Sequence, residues 1–245
     1  ESGQCRNPWW QQCRKPAAER GYADHGWLEA RHSFSFANYH DPAHMGWGVL
    51  RVINEDRVAP GTGFGTHGHR DMEIITWIIS GELAHRDSLG NGGVIRRGEA
   101  QRMSAGSGVR HSEVNPSPDT PVHLLQIWIE PALPGGEASW EQRAFPVDAL
   151  PGEFLLLASP DGRDGSTRIA QDACVSVAVL PTGEQLTHRF LPKRLGWVQL
   201  VSGRLSLNGQ TLAPGDGAAI ADLAQLEFLA IETAEFLLFD LPPVH

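Results

Sequence analysis

Short apolar runs separated by turn-forming residues set the pattern of this chain. WGVLRVI (47–53), EIITWII (73–79), LAHRD (83–87), HLLQIWI (123–129) and FLLLA (154–158) have strand length. So do CVSVAVL (174–180), WVQLV (197–201), RLSLN (204–208), LEFLAI (226–231) and EFLLFDL (235–241). Clusters such as SLGNGG, NPSPDTP, PALPGG and SPDGRDG punctuate them, and HSFSFANY (32–39) alternates polar and apolar residues as a half-buried strand does. Nowhere does an apolar stretch keep the helical period for three turns. Many short strands at this spacing, with 27 glycines and 17 prolines, predict an all-β sandwich or barrel.

The pattern repeats. Ser80-Gly81-Glu82-Leu83 resembles Ser202-Gly203-Arg204-Leu205, and Gly98-Glu99-Ala100 resembles Gly215-Asp216-Gly217. Two related halves are therefore expected, parted within the Pro/Gly-rich stretch 131–153. We divide the chain into an N-terminal extension, 1–13, and barrels over 14–135 and 136–245.

Charge and cysteines narrow the function classes. A formal net charge of −9 argues against nonspecific affinity for nucleic acid or an anionic membrane. The densest basic run, IRRGEAQR, reads as a solvated hairpin. Three cysteines without a CxxC make neither a disulfide framework nor a zinc ribbon. Cys5 and Cys13 could bridge, and Cys174 reads as a small buried hydrophobe. With no signal-like opening and no apolar run of membrane-spanning length, a cytoplasmic, reduced setting is expected.

The chemistry lies between Gly61 and Asn115. In a strand, residues two apart share a face, so His67 and His69 project together, as do His111 and Glu113. If these strands face each other, three imidazoles and a carboxylate converge, a donor set suited to iron, nickel, cobalt, manganese, copper or zinc. Glu73, four residues after His69, shares its parity, so spacing alone leaves Glu73 and Glu113 as rival carboxylates. His25, His32, His40 and His44 read as structural or surface histidines, with a place at the rim of a pocket as the lesser reading. Carrying the first half's register onto the second puts His67 and His69 near Arg189 and Leu191, and His111 and Glu113 near Phe228 and Ala230. Only His188 is at hand there, so no metal set is expected in that half.

The pattern G-x5-H-x-H-x3-E from Gly61 to Glu73, with G-x-x-H-x3-N from Gly108 to Asn115, resembles the two cupin motifs. HGWLEARHSFSFANYHDP, GFGTHGHRDMEIITW, RMSAGSGVRHSEVNP, QIWIEP and LLFDLPP resemble the pirin family over about residues 14–243, in particular bacterial pirin-like quercetin 2,3-dioxygenases. The resemblance implies a bicupin, two packed antiparallel β-barrels of jelly-roll type with few short helices and a metal in the N-terminal one. It assigns His67, His69, His111 and Glu113 as ligands, with Glu73 in a supporting place. One divalent ion is implied, Fe(II) foremost, with Ni, Co, Mn, Cu or Zn chemically open. The activity implied is ring opening of a flavonol by dioxygen with release of carbon monoxide; Glu113 is expected to accept the flavonol proton, with Glu73 as the other candidate, and Phe64, Met103 and Trp128 are candidate pocket walls. The alternative it implies is an iron-binding, redox-sensitive interaction protein with no turnover.

Overall fold

The computed structural model describes residues 12–243, and strands account for nearly all of its regular structure. Helical content among the described residues is two short 3-10 turns, Ala17–Glu19 and Arg163–Gly165. Among the described residues no helix is long and apolar enough to cross a membrane. HSFSFANY, expected as a strand, is not one: the strand is Leu28–His32, and the segment after it curls. Phe36 and Tyr39 exchange backbone hydrogen bonds around Ala37, whose φ of 50° lies in the left-handed region, and this turn ends the extended path.

A seven-stranded sheet and a four-stranded sheet enclose the first barrel. The larger carries Gly21–Asp24, Leu28–His32, Leu50–Val58, Glu73–Ser80, Glu99–Ser104, Val122–Ile129 and Ser139–Ala144. The smaller carries Gly63–His69, Glu82–Asp87, Gly92–Arg96 and Val109–Val114. The second barrel curls from one nine-stranded sheet, whose strands Leu195–Leu207 and Gln225–Leu241 bend at a series of register shifts. Strand pairing crosses the expected divisions. Gln12–Lys15 pairs with Gly217–Ile220 of the second half, so Gln12 and Cys13 are not an appendage, whereas 1–11, with Cys5, lie outside the described residues. Ser139–Ala144 likewise pairs with Glu99–Ser104 of the first half. Each exchange covers backbone groups that would otherwise line a bare sheet edge.

The repeat has a backbone cause. Gly81 and Gly203 both turn with positive φ, 78° and 77°, and a Cβ at either would strike a carbonyl oxygen, of Pro121 at 2.7 Å or Thr233 at 2.0 Å. Only glycine fits such a corner. Cys174 is half-buried, and its Sγ accepts from the Arg163 guanidinium at 3.2 Å, so it is more than an apolar filler.

The strand Glu73–Ser80 is covered on both faces, which explains its unbroken apolar run. Ile75 and Trp77 join Leu125, Ile127, Val175, Val177, Leu237 and Phe239 in the core between the halves. Ile74, Thr76 and Ile78 face into the first barrel. There, pairing aligns Asn54, Gln126, Thr76 and Gln101 across four adjacent strands, a polar row within an apolar barrel. Against this row the smaller sheet sets its histidines.

Candidate metal centre

The strands Gly63–His69 and Val109–Val114 pair with His111 opposite His67 and Val109 opposite His69. Directly opposed residues share a face, as do residues two apart, so three imidazoles meet. Their ring centroids lie 4.4–4.8 Å apart. His111 Nε2 stands 3.0 Å from His67 Nε2 and 2.9 Å from His69 Nε2.

Hydrogen bonding fixes which nitrogens carry protons. His67 Nδ1 lies 2.7 Å from the Gly65 carbonyl, which only accepts, so Nδ1–H donates and Nε2 is the nitrogen left to present a lone pair to a metal. His85, a residue the sequence reading passed over, does the same for His111. Its Nε2–H faces the Asp87 carboxylate at 3.4 Å, leaving Nδ1 to accept from His111 Nδ1–H at 3.3 Å. His111 Nε2 is then bare as well. Burial holds His69 down to about 4 and His111 to about 3, with His67 adding to both shifts, so both rings are neutral at pH 7.

At least two lone pairs thus point at one spot, an arrangement that asks for a cation. The spacing fits: nitrogen donors ~2.1 Å from an ion and at right angles to each other stand ~3.0 Å apart. A second observation agrees. Glu113, 1% exposed, accepts from Gln126 Nε2 at 2.9 Å through Oε2, while Oε1 is buried without a partner. Burial pushes this carboxyl up to about 7, against the pull of Gln126 and Gln101.

Not every expected residue arrives where spacing put it. His67, His69 and His111 form one group of mutually close donors; Glu113 belongs to a second, with His111 and His85. Register shifts between His111 and Glu113, leaving Gly65 and Thr66 of one strand opposite Ser112, and this bulge re-aims Glu113. Glu73 is not brought to the imidazoles. His69 ends a strand of one sheet and Glu73 begins a strand of the other, with Asp71 at a φ of 49° between them, so parity is not carried across. Glu73 Oε2 instead accepts from Ser104 Oγ at 2.6 Å. Ser104 in turn accepts from the Arg102 guanidinium, which is itself buried and not solvated as read from IRRGEAQR.

A cavity of about 250 Å³ opens beside the histidines, lined by His67, His69, Glu113 and Gln126 and walled by Phe36, Phe64 and Trp128. Met103, expected as a wall, is buried against Ile74, Ala105 and Val109 instead. His32 lines this cavity, with Nδ1 on Asn54 Oδ1 at 2.8 Å, while His25 and His40 are exposed and His44 pairs with Asp41 at 2.6 Å. Asp56 lines it too, its carboxyl pushed up to about 7 by burial and by Glu113 and Glu55. A larger cleft of about 690 Å³ beside Arg102, Arg168 and Gln171 includes no histidine. In the second half Phe228 stacks on Phe236 at 4.9 Å where the register expected a counterpart of His111, and His188 pairs with Asp240 at 3.0 Å. Among the described residues both donor groups lie in the first half.

A family model described as Pirin matches residues 14–129, and one described as the quercetinase C-terminal cupin domain matches 156–241. A quercetin 2,3-dioxygenase of Escherichia coli (strain K12) is 48% identical over 94% of this chain and 98% of its own. A pirin-like protein of Caulobacter vibrioides is 46% identical over 93% of this chain and 98% of its own. The crystal structure of the bacterial pirin YhhW from Escherichia coli in complex with nickel(II) aligns with a TM-score of 0.91 at 46% identity, covering 95% and 100% of the two chains. Two joined β-barrels with histidines gathered in the first define the class, a bicupin. Within that class, the chain belongs to the pirin family.

Proposed function

We propose that this pirin is a metal-dependent dioxygenase that opens the heterocyclic ring of flavonols such as quercetin and releases carbon monoxide. The observation that carries the reading is the meeting of inward-facing imidazole lone pairs with a cavity walled by aromatic rings. The 48% identity to a quercetin 2,3-dioxygenase supports the activity, and the nickel(II) complex of the bacterial pirin supports a divalent ion. His67, His69, His111 and Glu113 would hold one divalent ion, Fe(II) foremost, with Ni, Co, Mn, Cu and Zn open to the same donors. When bound, the ion would supply Lewis acidity toward a flavonol oxygen.

The protein's own groups do the rest. Phe36, Phe64 and Trp128 offer a flat substrate apolar faces and keep water from it. The flavonol hydroxyl must give up its proton, and Glu113, whose Oε2 is held in place by Gln126, is the acceptor. Anaerobic metal reconstitution followed by aerobic turnover of quercetin tests the reading. Metal-dependent loss of flavonol absorbance should accompany carbon monoxide release, and Glu113→Ala should abolish both. Stoichiometric metal with no turnover of any flavonol would favour the redox-sensitive interaction protein instead.

The Asp87–His85–His111 chain gives a separate expectation. His85→Phe keeps the ring that stacks on Trp140, at 5.8 Å and 13°, yet cannot accept from His111. Metal affinity should fall ~10–100-fold, measured by chelator competition, as it does when an outer hydrogen-bond partner of a ligand is lost. Asp87→Asn should lose less, since an amide oxygen still accepts from His85.

A further inference from the structure

The cavity beside the histidines contains one polar group with no assigned task. Asp56 stands on the strand Leu50–Val58, two residues from Asn54 and on the same face, and both line the cavity. It is 3% exposed, and its Oδ1 has no hydrogen-bond partner. The polar groups around it are engaged elsewhere. Asn54 Oδ1 is on His32, Gln126 donates to Glu113, and Glu55, on the opposite face, holds Arg20 and His123 at 2.8 Å each. A buried carboxyl oxygen without a partner is costly, and it persists where a bound molecule answers it.

The rest of the wall says what kind of molecule. Phe36, Phe64 and Trp128 suit a flat aromatic ring, and a carboxyl on such a wall suits a hydroxyl carried by that ring. Beyond Phe36 lies a second cavity of about 290 Å³, reaching Tyr22 and Tyr39, which shares Leu28, Ala30, His32 and Phe36 with the first. A ligand of more than one ring system has room to extend that way.

We propose that Asp56 orients the substrate by hydrogen-bonding a phenolic hydroxyl other than the reacting one, and so sets a preference for hydroxylated flavonols. The proposal rests on the flavonol reading above. The carboxyl serves in either protonation state, because a carboxylate accepts from a phenol and a carboxylic acid donates to it. Asp56 belongs to neither group of close metal donors, so its effect falls on the substrate and not on the ion.

The test is a binding cycle between one protein group and the ligand's hydroxyls. Metal-loaded wild type, Asp56→Asn and Asp56→Leu are titrated anaerobically with quercetin and with 3-hydroxyflavone, which has no hydroxyl but the reacting one. Wild type should favour quercetin. Asp56→Leu should weaken quercetin binding about tenfold or more and leave 3-hydroxyflavone nearly unchanged, which collapses the preference. Asp56→Asn, still able to donate and accept, should keep most of it. In aerobic turnover the Asp56→Leu loss should fall on KM more than on kcat. Metal content and melting temperature report whether each variant is intact, and Asp56→Ala replaces the leucine variant if that one does not fold. A wild-type preference ratio in an intact apolar variant overturns the proposal and leaves the flavonol reading standing. Failure of wild type to bind either flavonol overturns both.

Discussion

His111→Ala should lose most of its bound metal and, with it, more than ~100-fold in flavonol turnover, exceeding the loss expected from removing an outer partner. The ring is central to the cluster: its Nε2 faces both other imidazoles, and its Nδ1 is the proton donor to His85. Removing it leaves His67 and His69 as a pair and cuts their link to Glu113, which shares a donor group with His111 and not with them. Metal analysis after exhaustive dialysis reads the loss directly. Thermal melts give a second readout, since an ion that binds the folded state alone adds about 2.7 kcal/mol at a hundredfold excess over its Kd. Wild type should gain melting temperature on metal addition and His111→Ala should not. His188→Ala is the matched control, because His188 is spent on Asp240 and Phe228 fills its barrel. Equal metal loss in the two variants would mean that the second half also holds the ion.

Much of this centre was legible from two-residue spacing, and where that reasoning stopped is informative. Parity is a property of one continuous strand. Within Gly63–His69 it places His67 and His69 together as expected. It fails from His69 to Glu73, where the chain passes through Asp71 in a left-handed turn and changes sheet. It is blurred from His111 to Glu113 by a bulge in the neighbouring strand, which no local signal in VRHSEV announces. His85 and Asp87 also share parity, but neither residue type nor spacing tells a buried relay from a surface pair; only the pairing of Glu82–Asp87 with Val109–Val114 sets them behind His111. HSFSFANY misled for a related reason. Phe34 is buried, but so are His32 and Ser33, and Phe36 roofs a cavity and does not extend a sheet. Among the described residues both groups of close donors lie in the first half, and the scarcity of histidines in the second was readable from residue identity alone, whatever the local register.

Trp77→Ala should cost about 3–5 kcal/mol of stability, the range for deleting a large aromatic side chain from a core. In a protein of this size that lowers the melting temperature by roughly 10 °C. The indole is fully buried between the halves, and its Nε1–H donates to Glu235 Oε1 at 2.9 Å. Glu235 is held from the other side by Arg97, at 2.6 Å, which also reaches Asp148 at 2.7 Å, so one side chain ends both an apolar core and an ionic chain. Trp77→Phe separates the two contributions: it keeps most of the buried ring and gives up the donor, for an expected cost of about 1–3 kcal/mol. Similar losses for the two variants would assign the indole's contribution to its hydrogen bond and not to packing. The same strand ties stability to the site. Thr76, next to Trp77, points the opposite way into the polar row that includes Gln126, the residue that holds Glu113. Slack at the interface therefore reaches Glu113 from Thr76 by way of Gln126 on the adjacent strand, whereas the three histidines hydrogen-bond within the smaller sheet. Trp77→Ala should accordingly lower flavonol turnover more than it lowers metal content, the reverse of the order expected for His85→Phe.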